Sequence, residues 1–252
     1  MRVAAVSGDS LGEIKKVPTP KEPTEGIAQF VALARECAGG EEIRAVAGCI
    51  AADTVRDDGT ISGATNLREW ERVNVIRSLS EALGAKVSLE NDAAVAGLGE
   101  SVFGAGKGAP GLVYLTVSTG VGGGFIDAGR IAASGGMHGI TIGGVALEDL
   151  VSGTAVTKKF GVHPKDLSSL PEREKLADTL AEGLRLTLLR WPTGLFVIGG
   201  SMIVGQNPIP LDRVRAALAA SLQDHNVPEI KMAELGDNGG LWGGIALLKQ
   251  TN

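Results

Sequence analysis

The sequence lacks the features of a disulfide-stapled, zinc-clustered or membrane-spanning protein. It has two cysteines, Cys37 and Cys49, and three histidines in 252 residues. That is too few for a disulfide scaffold or a Cys-rich zinc cluster. Both cysteines sit in apolar stretches and read as buried free thiols, which fits a reducing cytoplasm. No apolar run approaches the roughly 18 residues that a membrane span needs. Positive charge is in deficit, with 24 Lys and Arg against 29 Asp and Glu, a net charge of −5. A main partner that is a nucleic acid or an anionic membrane would call for a basic surface. The opening Met1-Arg2-Val3-Ala4-Ala5-Val6 is interrupted by Ser7-Gly8-Asp9-Ser10 too soon to be a signal peptide, and it reads as a strand.

What is present suits an α/β protein. Hydrophobic residues make up 44% of the chain, enough for a sizeable core. The length gives a prior of one or two domains. Glycine is abundant, at 37 residues, and concentrates in turns between apolar runs. Arg2 to Ser7 and Gly12 to Thr19 read as a hairpin. Thr24 to Ala38 has helical apolar spacing, with Thr24 as N-cap and Gly39-Gly40 as the stop. Strands are expected at Ile43–Ile50, Lys86–Leu89, Leu112–Val117, Phe125–Ile131, Gly194–Ile198 and Ile230–Met232. Helices are expected at Glu69–Leu83, Asp92–Phe103, Leu147–Phe160, Glu172–Arg190, Leu211–Leu222 and Gly240–Lys249. Strands alternating with helices imply largely parallel sheets. The stretch from Gly104 to Gly111 reads as a domain boundary or flexible hinge.

Four segments carry chemistry. Ser118-Thr119-Gly120-Val121-Gly122-Gly123-Gly124 lies between two strands, and its glycines let backbone N–H groups converge on an anion. Ser118 and Thr119 add hydroxyl donors. This is not a Walker A loop, because no Gly-Lys-Ser/Thr follows. The bland alternative is a hairpin used only for sheet packing, but four glycines in seven residues exceed what a turn needs. Asn91-Asp92 ends a strand and begins a helix, where a carboxylate can take a proton from a substrate hydroxyl. Taken alone, that pair is equally an ordinary helix N-cap. Gly199-Gly200-Ser201 is again a strand end, either a ligand site or a tight turn. Leu235 to Gly244 is either a plain loop with a helix start or a close backbone approach to a ligand.

Together these segments resemble the ROK family of sugar kinases and sugar-responsive regulators, within the actin-like ATPase superfamily. Asn91-Asp92-Ala93-Ala94 with Gly99-Glu100 is similar to the family's Asn-Asp segment, and Ser118 to Gly124 to its second phosphate motif. Gly199-Gly200 and Leu235 to Gly244 resemble the adenosine-side strand end and closing helix. Ala64-Thr65-Asn66-Leu67 up to Trp70 resembles the hexose-contacting stretch, and Leu147-Glu148 with Ser152-Gly153 the stretch whose Glu contacts sugar. The resemblance implies a two-lobed actin-like (ribonuclease H-like) α/β fold with mixed sheets flanked by helices. The lobes would be residues 1–107 on the sugar side and 108–252 on the nucleotide side, the terminal helix packing back on the first lobe. It implies transfer of the ATP γ-phosphate to a hexose or amino sugar, with Asp92 as base and Mg²⁺ on the phosphates. Thr65, Asn66, Asn91, His138 and Glu148 would hold the sugar. Ser118, Thr119, Gly120, Gly122, Gly123, Gly199, Gly200 and Ser201 would hold the nucleotide. A cytoplasmic homodimer is the state it implies.

The sequence departs from the family pattern at three points. The family begins with a strand and an Asp-x-Gly-Gly-Thr turn, whereas this chain opens on what resembles the following strand. A missing internal strand would leave unpaired backbone edges, so the expectation is a start upstream of Met1 or a rearranged fold, with Ser7-Gly8-Asp9-Ser10 in place of the turn as the less favoured alternative. Gly139 to Glu148 carries no cysteine, so the zinc cluster of many members is not expected. The family's Glu-x-Gly-His has no clear counterpart: Gly135-Gly136-Met137-His138-Gly139 lies in its place without the Glu. No helix-turn-helix segment precedes the kinase-like body, which disfavours the regulator branch. The alternative to an active kinase is a catalytically impaired sugar- or nucleotide-binding relative.

Overall fold

The computed structural model describes residues 1–135, 137–223 and 225–251, except for the side chains of His138 and Thr251. The chain begins with β1 (Arg2–Val3), β2 (Val6–Ser7), β3 (Ser10–Leu11) and β4 (Lys15–Lys16). β2 pairs with β3 and β1 with β4, both antiparallel, so the expected hairpin forms as two short ladders. α1 (Pro23–Ala38) starts before Thr24, which is therefore inside the helix rather than its cap. Pro23 supplies the start instead, because its fixed φ suits the first turn and its missing N–H is not needed there. Gly39, at φ 59°, closes the helix.

β5 (Ala45–Ile50) is followed by a small hairpin, β6 (Thr54–Val55) and β7 (Ile61–Ser62), around the turn at Asp58. The helix expected over Glu69–Leu83 is two pieces: a 3-10 turn at Arg68–Arg72 and α2 (Val75–Leu83). Asn74 causes the split. Its Oδ1 accepts from Arg77 N at 2.9 Å, which caps α2 and takes Asn74 out of helical conformation. β8 (Lys86–Asn91) runs parallel to β5 and leads directly into α3 (Asp92–Phe103).

β9 (Gly111–Val117), β10 (Val121–Asp127) and β11 (Arg130–Ser134) form an antiparallel meander. The strand expected from Phe125 therefore begins at Val121, and Gly122 to Gly124 lie within it. β12 (Thr141–Ile142) and β13 (Val145–Ala146) precede α4 (Glu148–Val151) and α5 (Gly153–Phe160). One helix was expected across that last stretch. Ser152 divides it, its Oγ accepting from Ala155 N at 3.1 Å to cap α5. α6 (Leu170–Arg190), β14 (Leu195–Gly199), α7 (Ser201–Val204), α8 (Leu211–Ser221), β15 (Glu229–Met232) and α9 (Gly239–Thr251) complete the chain.

The five-stranded sheet has the order β11-β10-β9-β14-β15. It is mixed rather than largely parallel: β14 is parallel to β9 and β15, and the β9–β10–β11 side is antiparallel. Alternating residues supply its two faces. Val113, Leu115, Phe196 and Ile198 pack with Leu176, Leu180, Leu184, Val214 and Leu218 of α6 and α8. Leu112, Tyr114, Ile126 and Val197 pack with Leu98 of α3 and Ala246 and Leu247 of α9. A third cluster joins Val31, Trp70, Val75, Leu79 and Val87 around the β5–β8 pair.

α3 lies against both the five-stranded sheet and α9 by virtue of small residues. A Cβ on Gly243 would lie 1.8 Å from the Val95 carbonyl oxygen, and one on Gly99 2.7 Å from that of Gly239. The segment after α3, expected to be a domain boundary or flexible hinge, is a buried hydrogen-bonded turn at its start. The fully buried Glu100 side chain accepts from Ala105 N at 2.9 Å with one oxygen, and from Glu234 N at 3.0 Å and Leu235 N at 2.8 Å with the other. Both cysteines are free and half-buried rather than fully buried. No helix among the described residues is long and apolar enough to cross a membrane.

Candidate active site

Asp92 is the first residue of α3, at the carboxyl end of β8. That is where ligands gather on α/β sheets. The strand-to-helix corner is fixed by Asn91, which is buried. Its Oδ1 accepts from Ala94 N at 3.0 Å, and its Nδ2 donates to the Ala52 carbonyl at 2.7 Å. Asn91 is thus the N-cap of α3 and a tie to the end of β5, with both ends of its amide engaged. Asp92 Oδ1 accepts from Ala93 N at 2.8 Å.

Asp92 borders a cavity of about 1640 Å³, which is also lined by Val3 and Ala4, the β5 residues Ala45 to Ile50, and Tyr114 and Thr116. Burial pushes its carboxyl above the ordinary aspartate range, the neighbouring amides partly offset this, and the charge of Asp53 adds to the rise. Sequence reasoning missed Asp53. It follows Ala52, the residue tied to Asn91, and it packs where a Cβ on Gly63 would meet its Oδ2. Its position just past a strand's carboxyl end was the available signal.

The glycine-rich segment divides into two parts with different jobs. Only Ser118–Gly120 forms the turn, closed by Ser118 N donating to the Gly120 carbonyl at 2.8 Å. Its carbonyl side is held by α5: Gly153 N donates to Ser118 O at 2.7 Å, and Thr154 N and Oγ1 donate to Thr119 O at 3.2 and 2.7 Å. The amides of Thr119 and Gly120 make no hydrogen bond among the described residues. Gly122, Gly123 and Gly124 serve packing. A Cβ on Gly122 would lie 3.0 Å from the Ala93 Cβ, one on Gly124 2.9 Å from the Ala94 Cα, and one on Gly123 2.6 Å from the Tyr114 carbonyl oxygen. The start of α3 therefore rests directly on β10, next to the turn.

The second strand end joins the turn from the side. β14 pairs with β9 so that Gly199 faces Thr116, and Ser118 Oγ lies 3.1 Å from Ser201 Oγ. Gly200 has φ 94°, and a Cβ there would lie 2.3 Å from the Val117 carbonyl oxygen. Ser118, Thr119, Gly120, Gly199, Gly200 and Ser201 thus form one surface at the carboxyl ends of β9 and β14.

The expected sugar residues are placed unevenly. Thr65 and Asn66 are exposed in a turn held by Glu71, whose Oε1 accepts from Ala64 N at 2.7 Å. Glu148 lies against the turn: its Oε2 accepts from Val121 N at 2.8 Å, and a Cβ on Gly120 would meet that oxygen at 2.4 Å. The side chain of His138 lies outside the described residues. Gly135, at φ 64°, faces the Asp53 carbonyl. Among the described residues, no three His, Cys, Asp or Glu side chains group closely enough to hold a metal alone.

A helix that opens on an acid and packs its first turn on the glycines of a β-hairpin strand, beside a mixed sheet flanked by helices, belongs to an actin-like ATPase fold. The ROK family model matches residues 4–150, and the chain belongs to the ROK family. It is 38% identical over 93 residues to the glucokinase of Thermotoga maritima, covering 37% of this chain and 29% of that protein. It is 31% identical over 203 residues to the fructokinase of Zymomonas mobilis, covering 71% of this chain and 67% of that protein. The chain thus spans under a third of the first relative and two thirds of the second. The crystal structure of the ROK hexokinase from Thermus thermophilus superposes with a TM-score of 0.85 at 25% identity, covering 100% of this chain and 96% of that one.

Proposed function

We propose that the protein phosphorylates a hexose or amino-sugar hydroxyl with ATP, Asp92 acting as general base. The observation that supports this reading is the packing of Ala93 and Ala94 onto Gly122 and Gly124, which brings the helix that Asp92 opens onto the strand that follows the Ser118–Gly120 turn. The relatives named glucokinase, fructokinase and hexokinase support the hexose class.

On this reading the sugar enters the cavity that Asp92 and Leu67 line. The Asp92 carboxylate accepts the proton of the attacking hydroxyl. Its raised pKa keeps it a better proton acceptor than a solvated aspartate. The amides of Thr119 and Gly120 and the hydroxyls of Ser118 and Ser201 hold phosphate oxygens. Thr65, Asn66 and Glu148 take sugar hydroxyls, and Asn91 holds Asp92 in place through the Asn91–Ala52 bond. Residues 1–107 and 108–252 act as two lobes that exclude water when they close.

Mg²⁺ in such sites is held by one or two carboxylates together with the substrate's phosphates. Asp92, on the cavity wall, supplies one such carboxylate, so the residues fit a cation that arrives with the nucleotide. When bound, it would neutralise charge on the transferring phosphoryl group.

A second reading, a sugar- or nucleotide-binding protein without turnover, is favoured by one observation. The Gly135–Gly139 stretch supplies no carboxylate to the cleft. Magnesium-ATP-dependent phosphorylation across a panel of hexoses and amino sugars decides between them. Turnover of at least one sugar is expected; retained ligand binding with no turnover on any of them contradicts the kinase reading.

A further inference from the structure

Glu148 is placed more firmly than a side chain that only awaits a sugar. It opens α4, directly after Leu147, which is fully buried. Leu147 N donates to the Ile140 carbonyl at 2.8 Å, and its side chain fills the space left by Gly183 of α6, where a Cβ would lie 2.6 Å away. The backbone beneath the carboxylate is therefore anchored in the core.

From that anchor Oε2 reaches Val121 N at 2.8 Å, while Gly120 presents no Cβ to the same oxygen. The bonds from α5 reach the carbonyl oxygens of Ser118 and Thr119. The bond from Glu148 is the one that fixes an amide at the far end of the turn. We propose that Glu148 is a positioning residue for the Ser118–Val121 turn, setting the direction in which the Thr119 and Gly120 amides point. The inference rests on the reading of this turn as the phosphate holder.

The same carboxylate brings a negative charge beside the phosphate site. Its two effects oppose each other: the hydrogen bond shapes the turn for phosphate, and the charge repels phosphate. Two substitutions separate them. Glu148→Gln keeps a carbonyl oxygen of the same reach and removes the charge. Glu148→Ala removes both.

The test uses the full chain, with binding of the magnesium complex of a non-hydrolysable ATP analogue measured by calorimetry and exchange of the Val121 amide measured by NMR. In Glu148→Gln the analogue binds more tightly than in the wild type and the Val121 amide stays protected. In Glu148→Ala the analogue binds about tenfold more weakly, as loss of a hydrogen bond to a charged group implies, and the amide exchanges about tenfold faster. Unchanged exchange and affinity in Glu148→Ala would overturn the proposal. So would equal weakening in both variants, the mark of a merely structural residue. If the wild type binds no analogue, the phosphate reading of the turn fails, while Val121 exchange in the two variants still decides whether Glu148 positions it.

Discussion

Gly122 of β10 and Ala93 of α3 touch where a side chain on either strand or helix would ordinarily stand: a Cβ on Gly122 would lie 3.0 Å from that of Ala93. This contact sets the distance between the residue before Ala93, which is Asp92, and the turn before Gly122. Replacing Gly122 with Val would push α3 off the sheet. Overpacking of this kind costs about 1–3 kcal/mol. The expected result is a lower urea midpoint together with a drop in kcat, since the base moves with the helix. A destabilised variant with full kcat would show that the spacing of Asp92 from the turn is immaterial.

Asp53 gives a prediction in pH. A general base works only when ionised, so turnover falls as pH drops through its pKa. Burial first, and the Asp53 charge after it, raise the Asp92 pKa, so the acid limb of kcat/KM lies above the ordinary aspartate range. Asp53→Asn removes the repulsion and leaves the burial. The limb should move to lower pH without reaching that of a solvated aspartate. A limb that stays in place would mean that Asp53 does not act on the base.

Glu100 is the expected weak point for stability. Its carboxylate takes three backbone N–H bonds, from Ala105, Glu234 and Leu235, in a fully buried setting. Glu100→Ala leaves those donors unpaired. At about 1–3 kcal/mol for each unsatisfied buried group, the loss should reach about 3 kcal/mol or more in chemical denaturation. Glu100→Gln keeps one acceptor and should lose less. Equal losses in the two variants would argue that the charge and second oxygen of the carboxylate, rather than the one acceptor that Gln keeps, hold the turn at Gly104 to Gly106.

The helix–helix contact offers a sharper steric test. A methyl on Gly243 would overlap the Val95 carbonyl oxygen at 1.8 Å. Gly243→Ala would ordinarily favour a helix by about 1 kcal/mol. Here it should instead lower the melting temperature, because α3 and α9 cannot move apart without opening the core between Leu98 and Leu247. A rise in melting temperature would contradict the packing described.

Much of this was legible in the sequence, and the misses have physical causes. α3 was bounded correctly because Asp92 opens a run of small apolar residues that ends at glycine. The helix at Glu69 was drawn too long because one asparagine, Asn74, caps from within an otherwise helical pattern. The glycine density from Gly122 to Gly124 marks a close backbone approach, and the α3 residues Ala93 and Ala94 that approach Gly122 and Gly124 are not named by local spacing. Asp53 and the Glu148–Val121 bond depend on long-range contacts that no local spacing encodes. The family resemblance placed Asp92 and the turn in one site; the fold packs Ala93, next to Asp92, on Gly122 of the strand that follows the turn.

The central claim is that Asp92 takes the proton at this turn, and the Asp92→Asn variant tests it most directly. Single-turnover transfer of the γ-phosphate to the best sugar should fall about 10²–10⁴-fold, the range that a positioned general base supplies. Affinity for that sugar and for the non-hydrolysable ATP analogue should stay near the wild-type values. Transfer at an undiminished rate, with both ligands still bound, would contradict the account.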